Sequence, residues 1–196
     1  MMSRQTTPRG LALALLLLAA TTAWAGPADP AAPAAPADRW VLIDTDRRQA
    51  QVYQGNTPIV LFDHIAIGSR GAASARLLGD RTTPKGEFRI DRINRASPFH
   101  IFLSLDYPRR AHAELALQQG LIDEPEYRSL IGRFNDRAAP PQDTVLGGYI
   151  GIHGVGRGDP LVHKWFDWTR GCVAVTNEQI EQLAELVGIG TRVVIR

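Results

Sequence analysis

The chain has 196 residues, of which 22 are Lys or Arg and 20 are Asp or Glu. Two of the basic residues, Arg4 and Arg9, lie in an N-terminal segment without acidic residues, so the rest of the chain carries 20 basic and 20 acidic residues. This balance argues against nucleic-acid binding, which needs a clustered basic excess.

The N-terminal segment predicts an exported protein. Arg4 and Arg9 precede a run of only Leu and Ala, residues 11–20, and Ala23-Trp24-Ala25 places small residues where a signal peptidase reads them. We therefore predict a signal peptide at 1–25, an Ala/Pro-rich linker at 26–39 and one domain at 40–196, exported to the periplasm or cell envelope. The apolar run is shorter than the ~20 residues of a membrane span, so no stable span is expected after cleavage.

The first half of the domain predicts antiparallel strands joined by tight turns. Short apolar runs are bounded there by turn residues, a pattern typical of β-structure. The predicted strands are Trp40–Asp44, Gln51–Gln54, Ile59–Gly68, Glu87–Ile90 and Phe99–Leu105, with a loop at Gly71–Leu78 and a turn at Asp80–Gly86.

The composition then changes to predict a helical insert at about 108–137. Pro108–Gln119 is rich in helix formers and ends at Gly120, and Asp123 with Glu126 matches a capping box for a second helix. After the insert we predict extended segments at Val145–His153 and Cys172–Val175, and a strand at Arg192–Ile195. A helix is predicted at about 177–187, because Thr176 with Gln179 matches another capping box. The predicted fold class is mostly β with added helices.

Cys172 is the only cysteine of a chain predicted to be exported. It is therefore a buried inert thiol, a partner for another molecule or a reactive thiol. A nearby imidazole such as His153 could take the proton of the thiol and make it a nucleophile. Gly171 would let the amides of residues 171 and 172 approach an oxyanion, and Arg170 would add positive potential.

The spacing of these residues resembles that of the L,D-transpeptidase catalytic domain family, the YkuD type. His153-Gly154 is followed by fourteen residues, then by Thr169-Arg170-Gly171-Cys172, and Asn177 comes five residues after the cysteine. The upstream Thr83-Pro84-Lys85-Gly86 is similar to the Thr-Pro-x-Gly element of that family.

The resemblance implies a YkuD-like β-sandwich or open barrel with the helical insert and a C-terminal helix. It implies that Cys172 attacks the carbonyl before the terminal D-alanine of a peptidoglycan stem peptide, giving a thioester that an amine or water resolves. His153 would act as the base and a Gly154 carbonyl would orient it. Neither a cofactor nor a metal is expected. The residues expected to bind substrate are Thr169, Arg170, Gly171, Asn177, Trp168 and His163.

Two departures from the family pattern leave the outcome of the reaction open. Arg170 replaces the usual His, and Ala174 replaces a frequent Arg that meets a substrate carboxylate. Arg170, Arg157 or Lys85 would then recognise that carboxylate. An L,D-carboxypeptidase or amidase, which trims stems or releases wall-attached protein, is the first alternative.

Three further alternatives stay open at the level of the sequence. The domain could be a non-catalytic wall-binding module, a sortase-like transpeptidase, or a zinc protein using His153, His163 and Cys172. Structural zinc sites favour closely spaced pairs such as Cys-x₂-Cys, which this chain lacks. Asp167 is expected to contact the substrate, hold Arg170 or form a surface ion pair. The oligomeric state is not predicted.

Overall fold

The computed structural model of the protein describes residues 38–134 and 139–196. The predicted signal peptide, and the predicted linker up to residue 37, lie outside the described residues. The first strand of the described residues begins at Arg39.

The described residues form ten strands, which confirms the mostly β class. The strands are β1 Arg39–Asp44, β2 Gln49–Gln54, β3 Thr57–Asp63, β4 Ala72–Ala73, β5 Thr83–Pro84, β6 Gly86–Ser97, β7 His100–Leu105, β8 Gly151–His153, β9 Val173–Ala174 and β10 Arg192–Ile195. Eight of them form one mixed sheet in the order β3-β2-β1-β10-β6-β7-β8-β9, and β4 pairs with β5 in a separate two-stranded sheet.

The pairing pattern explains how the sheet holds together. Strands β1 and β10 are parallel, β8 and β9 are parallel, and the other neighbours are antiparallel. The long strand β6 pairs with β10 through its first residues and with β7 through the rest, with register shifts that interrupt the second pairing. Such irregularities bend a strand and increase its twist, which lets β6 join the two halves of the sheet.

In the part of the chain that the structure describes, four helices accompany the sheet. They are α1 Arg110–Gln118, α2 Glu124–Arg133, α3 Pro160–Trp165 and α4 Asn177–Leu186. Helices α1 and α2 lie within the predicted insert, whose residues 135–137 are outside the described residues. Both predicted capping boxes form, Asp123 with Glu126 and Thr176 with Gln179. Within the described parts of the chain, no helix combines the length and apolar character needed to cross a membrane.

The core lies between α4 and the sheet. Helix α4 turns its apolar stripe inward, and Ile180 and Leu183 are fully buried. Residues of the central strands, among them Phe88, Leu103 and Val193, are also fully buried. Burying side chains of this size stabilises a fold by about 1.5–3 kcal/mol each, so this packing fixes α4 beside β7 and β8.

Three segments differ from the sequence predictions. The predicted extended run Val145–His153 is a strand only from Gly151, because Gly147 and Gly148 and the positive φ of Gly147 and Tyr149 interrupt it. The predicted strand Ile59–Gly68 ends at Asp63, and its remainder forms isolated bridges to residues 169 and 174. Helix α3 was not predicted, because six residues are too few to show a helical period.

Candidate active site

His153 ends β8 and is enclosed by aromatic rings. Its ring centroid lies 4.4 Å from that of Phe99, 5.9 Å from that of Phe102 and 5.8 Å from that of Trp168. Only 2% of the residue is exposed. The two phenylalanines come from either side of the β7 start, so β7 and β8 together hold the imidazole in one orientation.

The backbone and the apolar surroundings decide the protonation of His153. Nδ1 lies 2.7 Å from the Gly154 carbonyl oxygen, which can only accept, so Nδ1 carries the proton and donates it. Burial lowers the pKa of His153 to about 4, although the bond to Gly154 acts in the opposite direction. The imidazole is therefore neutral at pH 7 and its Nε2 is free to accept a proton.

The parallel pair β8–β9 brings Cys172 into the neighbourhood of His153. His153 is the register partner of Ala174, and Cys172 lies two residues before Ala174, directly before the first residue of β9. Strand spacing and the reach of two residues keep the two Cα atoms within about 12 Å of each other.

The Cys172 thiol is in its neutral form in this environment. Sγ donates to the Tyr149 carbonyl oxygen at 3.4 Å, so its hydrogen-bond partner here is a backbone group and not His153. Part of the residue reaches the surface, yet burial raises the pKa of the thiol to about 11. The Gly151 amide and the positive charge of Arg76 act in the opposite direction.

The segment Thr169–Cys172, called the cysteine loop below, is closed by its own threonine. Thr169 Oγ1 donates to the Cys172 carbonyl at 2.6 Å and accepts from the Gly171 amide at 3.1 Å. Thr169 is buried, and its backbone bonds to Ile67 and Ser69. The threonine hydroxyl is therefore engaged in holding the loop. A contact between Thr169 and substrate stays a prediction.

Gly171 is at a position that only glycine fits. Its φ is +130°, and a Cβ atom there would lie 2.5 Å from Arg76 Nη1 and 2.8 Å from the Thr82 carbonyl oxygen. Because Arg76 is buried and Thr82 presents backbone, neither neighbour can withdraw easily. The cysteine loop therefore depends on glycine for its close approach to residues 76–82.

We expect Gly171→Ala to lower the free energy of unfolding by about 2 kcal/mol or more, through backbone strain and steric overlap. Gly190→Ala is the matched control, because Gly190 has a φ of +88° and no atom within 4 Å of a Cβ. The control should lower the free energy of unfolding only by the backbone strain of an alanine at positive φ, about 1 kcal/mol. Urea unfolding of both variants measures the difference, and equal losses would show that the overlap is relieved.

Asn177 joins α4 to the turn that follows the histidine. Its Oδ1 accepts from the Gly156 amide at 2.8 Å and its Nδ2 donates to the Gly156 carbonyl at 2.9 Å. A Cβ on Gly154 would lie 2.6 Å from Asn177 Oδ1, so this contact also needs glycine at 154. Both polar atoms of Asn177 are thus used to fix residues 154–156. Its predicted contact with substrate is not tested by this geometry.

Trp168 and His163 form a second layer beside His153. Trp168 Nε1 donates to His163 Nδ1 at 3.4 Å, and the Trp168 indole meets the His153 ring edge-on. Burial lowers the pKa of His163, and its Nε2 has no partner among residues 38–134 and 139–196. His163 and Asn177 also line a cavity of about 370 Å³, which brings two predicted substrate-binding residues together.

The predicted cationic residues lie in different places. Arg170 is exposed and makes no hydrogen bond or ion pair with the described part of the chain. Arg157 is also exposed, whereas Lys85 lies beside α1 in another cavity. Asp167 does not hold Arg170. It pairs with Arg48 at 2.6 Å and accepts from the Ile67 amide.

Several residues of the site were not predicted. Phe99 and Phe102 gave no signal beyond an apolar run, although they enclose the histidine. Tyr149 lies in a glycine-rich segment with a φ of +54°, and only folding brings its carbonyl to the thiol. Arg76 falls in the small-residue run predicted as a loop. No group of three metal-ligating side chains occurs in the described residues, which include His153, His163 and Cys172.

The comparisons with known proteins agree on one family and one fold. A model of the L,D-transpeptidase catalytic domain, YkuD, matches residues 38–195. The structure is similar to that of the helical cell shape determining protein Pgp2 from Campylobacter jejuni, with a TM-score of 0.53 and 21% identity over 81% of this chain and 47% of that chain. No curated protein matches the chain significantly.

A second solved structure gives the same result. Bd1075 of Bdellovibrio bacteriovorus aligns with a TM-score of 0.50 and 20% identity over 81% of this chain and 48% of that chain. The chain thus spans about half the length of both proteins. At this level of identity, the likeness to them extends to the fold alone.

Proposed function

Because the chain belongs to the family of L,D-transpeptidase catalytic domains, we propose that it is a cysteine-dependent L,D-transpeptidase acting on peptidoglycan stem peptides through a thioester. The observation that carries the proposal is the state of His153. A buried, neutral imidazole has its Nδ1–H fixed on the Gly154 carbonyl and ends the strand that pairs with β9, the strand that directly follows Cys172.

In the first half of the reaction, Cys172 Sγ bonds to the carbonyl carbon before the terminal D-alanine. His153 Nε2 takes the thiol proton, and the carbonyl electrons move to the oxygen. When the oxyanion collapses, the bond to D-alanine breaks and the amine leaves with the proton from His153. The raised pKa of the thiol means that this proton moves to the base during attack, since little thiolate exists beforehand.

Backbone amides are the donors available for the oxyanion. The Gly171 amide already donates to Thr169 Oγ1, so we assign the oxyanion to the Cys172 amide. This amide stays in place because the threonine closes the cysteine loop from both ends. Removing one such donor costs other enzymes about 3–4 kcal/mol of transition-state stabilisation.

In the second half, an acceptor attacks the thioester carbonyl and His153 takes its proton. The thiol then leaves and recovers that proton. An amine of another stem gives a crosslink, and water gives a trimmed stem. The exposed Arg170 beside the cysteine is a candidate for holding an acidic group of the stem, and Trp168 for contacting its aliphatic part. Such a substrate requires export to the cell envelope, as the N-terminal residues predict.

Mass spectrometry of tetrapeptide stem fragments incubated with the mature chain tests the proposal. Crosslinked dimers that have lost one D-alanine are expected, and they require attack by an amine. Fragments that only lose D-alanine would assign the hydrolytic alternative. Fragments that stay unchanged, with folded protein and several stem types, would contradict a catalytic function and favour a wall-binding module.

A further inference from the structure

Arg76 is a buried arginine that the reaction above leaves without a role. Only 4% of it is exposed, and its guanidinium lies 6.0 Å from the centre of the Tyr107 ring. Nη2 is 3.5 Å from the Leu77 carbonyl oxygen, whereas Nε and Nη1 are buried without a hydrogen-bond partner among the described residues. Burying a charge is costly unless the charged group is paired and hydrogen-bonded, which Arg76 is only in part.

The counter-charge of Arg76 is incomplete. Asp80 Oδ1 lies 3.4 Å from Arg76 Nε, and the Asp80 side chain is 30% exposed. Its two oxygens also accept hydrogen bonds from the Leu77 and Thr82 amides at 2.9 Å. Water and these amides weaken the electrostatic effect of the Asp80 carboxylate on Arg76. The side of the guanidinium that faces away from Asp80 therefore keeps a net positive potential.

That opposite side faces the cysteine loop. Arg76 Nη1 lies 2.5 Å from the position of a Cβ on Gly171, which puts it within about 4 Å of Gly171 Cα and about 8 Å of Cys172 Cα. At such a separation a buried cation changes the ionisation of a neighbour, because the intervening protein screens poorly. The charge of Arg76 indeed favours the thiolate of Cys172.

Few other charged groups face the thiol. His153 is neutral at pH 7 because burial lowers its pKa to about 4, and Arg170 points into water. Asp80 and Tyr107 flank the guanidinium, and burial raises the pKa of Tyr107. Arg76 is thus the buried cation at this loop, within the described part of the chain.

We propose that Arg76 is a positioning residue that stabilises the thiolate of Cys172 from beneath the cysteine loop. The inference rests on the proposed role of Cys172 as nucleophile and adds how the negative charge on sulfur is accommodated. It also explains why residue 171 is glycine, since any side chain there would displace the guanidinium.

The thiolate absorbance of the full chain in the ultraviolet tests the proposal. Cys172 is the only cysteine, so subtracting the spectrum of the same variant carrying Cys172→Ala isolates it and removes the tyrosine signal. At pH values below the midpoint of the thiol titration, Arg76→Gln should lower the fraction of Cys172 present as thiolate about tenfold. This corresponds to a titration midpoint about one pH unit higher. Arg76→Lys should stay close to the wild type, and Asp80→Asn should raise the fraction.

The opposite signs separate this role from a structural one. If the two substitutions acted only through lost packing, Arg76→Gln and Asp80→Asn would change the thiolate fraction in the same direction or leave it unchanged. Either result would overturn the proposal. If circular dichroism shows that Arg76→Gln is unfolded, the test is Asp80→Asn: a higher thiolate fraction supports the proposal, and an unchanged or lower one overturns it. The titration needs no stem peptide, so a chain inactive on stems could still confirm the role of Arg76.

Discussion

Replacing Cys172 with alanine is expected to abolish thioester formation and to lower the rate of D-alanine release by about 10⁴-fold or more. Without the thiol, a water molecule would have to attack the stem carbonyl, and the site is built to position the sulfur of Cys172 for that attack. The fold should persist, because the side chain is partly exposed and its hydrogen bond goes to a single backbone carbonyl. Intact-protein mass after brief incubation with stem fragments measures the acyl-enzyme directly.

Two controls make the result for Cys172 decisive. The thermal midpoint of Cys172→Ala should stay within a few degrees of that of the wild type, which excludes unfolding. Ala174→Ser changes a buried neighbour in β9 and leaves the thiol in place, so it should still form the acyl-enzyme. Normal stem processing by Cys172→Ala would refute the proposed mechanism whatever its stability.

The sequence anticipated the strands and helices whose periodicity is local. The capping boxes at Asp123 and Thr176 begin α2 and α4 at the predicted residues, because a cap involves only four consecutive positions. Strand order could not be predicted in this way. The first and last strands of the described residues form the parallel pair β1–β10, and nothing near Trp40 or Arg192 in the sequence indicates that they are partners.

The candidate site also combines features that local sequence predicts with contacts that only folding creates. Cys172 was singled out as the only cysteine, and His153 by a spacing from Cys172 that resembles the family pattern. The surroundings of the two residues depend on contacts between distant segments. Phe99 reaches the imidazole across β7–β8, and Arg76 reaches Gly171 across almost a hundred residues. Its position two residues before Cys172 suggested the exposed Arg170 as the cation of the site, whereas folding buries Arg76 beneath the same loop.

Removing the imidazole is the other change with a large expected effect. His153→Ala should lower the rate of acyl-enzyme formation by about 10²- to 10⁴-fold, the usual contribution of a general base. The thiol has a pKa of about 11, so few molecules carry a thiolate at neutral pH without help. His100→Ala is the matched control, because that exposed ring pairs with Glu181 and not with the site. Equal rates for the two variants would remove His153 from the mechanism.

The pH profile tests the same base independently. Burial lowers the pKa of His153 to about 4, so the imidazole accepts protons above that pH and loses this ability only as the pH falls through it. Activity should therefore persist at pH 5.5, where an exposed histidine of pKa 6.5 would already be protonated. Protonation of His153 and His112 also favours the unfolded chain, because burial lowers both pKa values to about 4. Circular dichroism at each pH is needed to separate the two causes.

Phe99 gives the means to move that acid limit. The side chain covers the His153 ring at 4.4 Å between centroids while being 40% exposed itself. Phe99→Ala should admit water to the imidazole, weaken the desolvation that lowers its pKa and shift the acid limit of activity upward, towards 6.5. His153→Ala should show no such limit in its residual rate. If Phe99→Ala leaves the limit near pH 4, the group titrating there is not His153, and the base must be sought elsewhere.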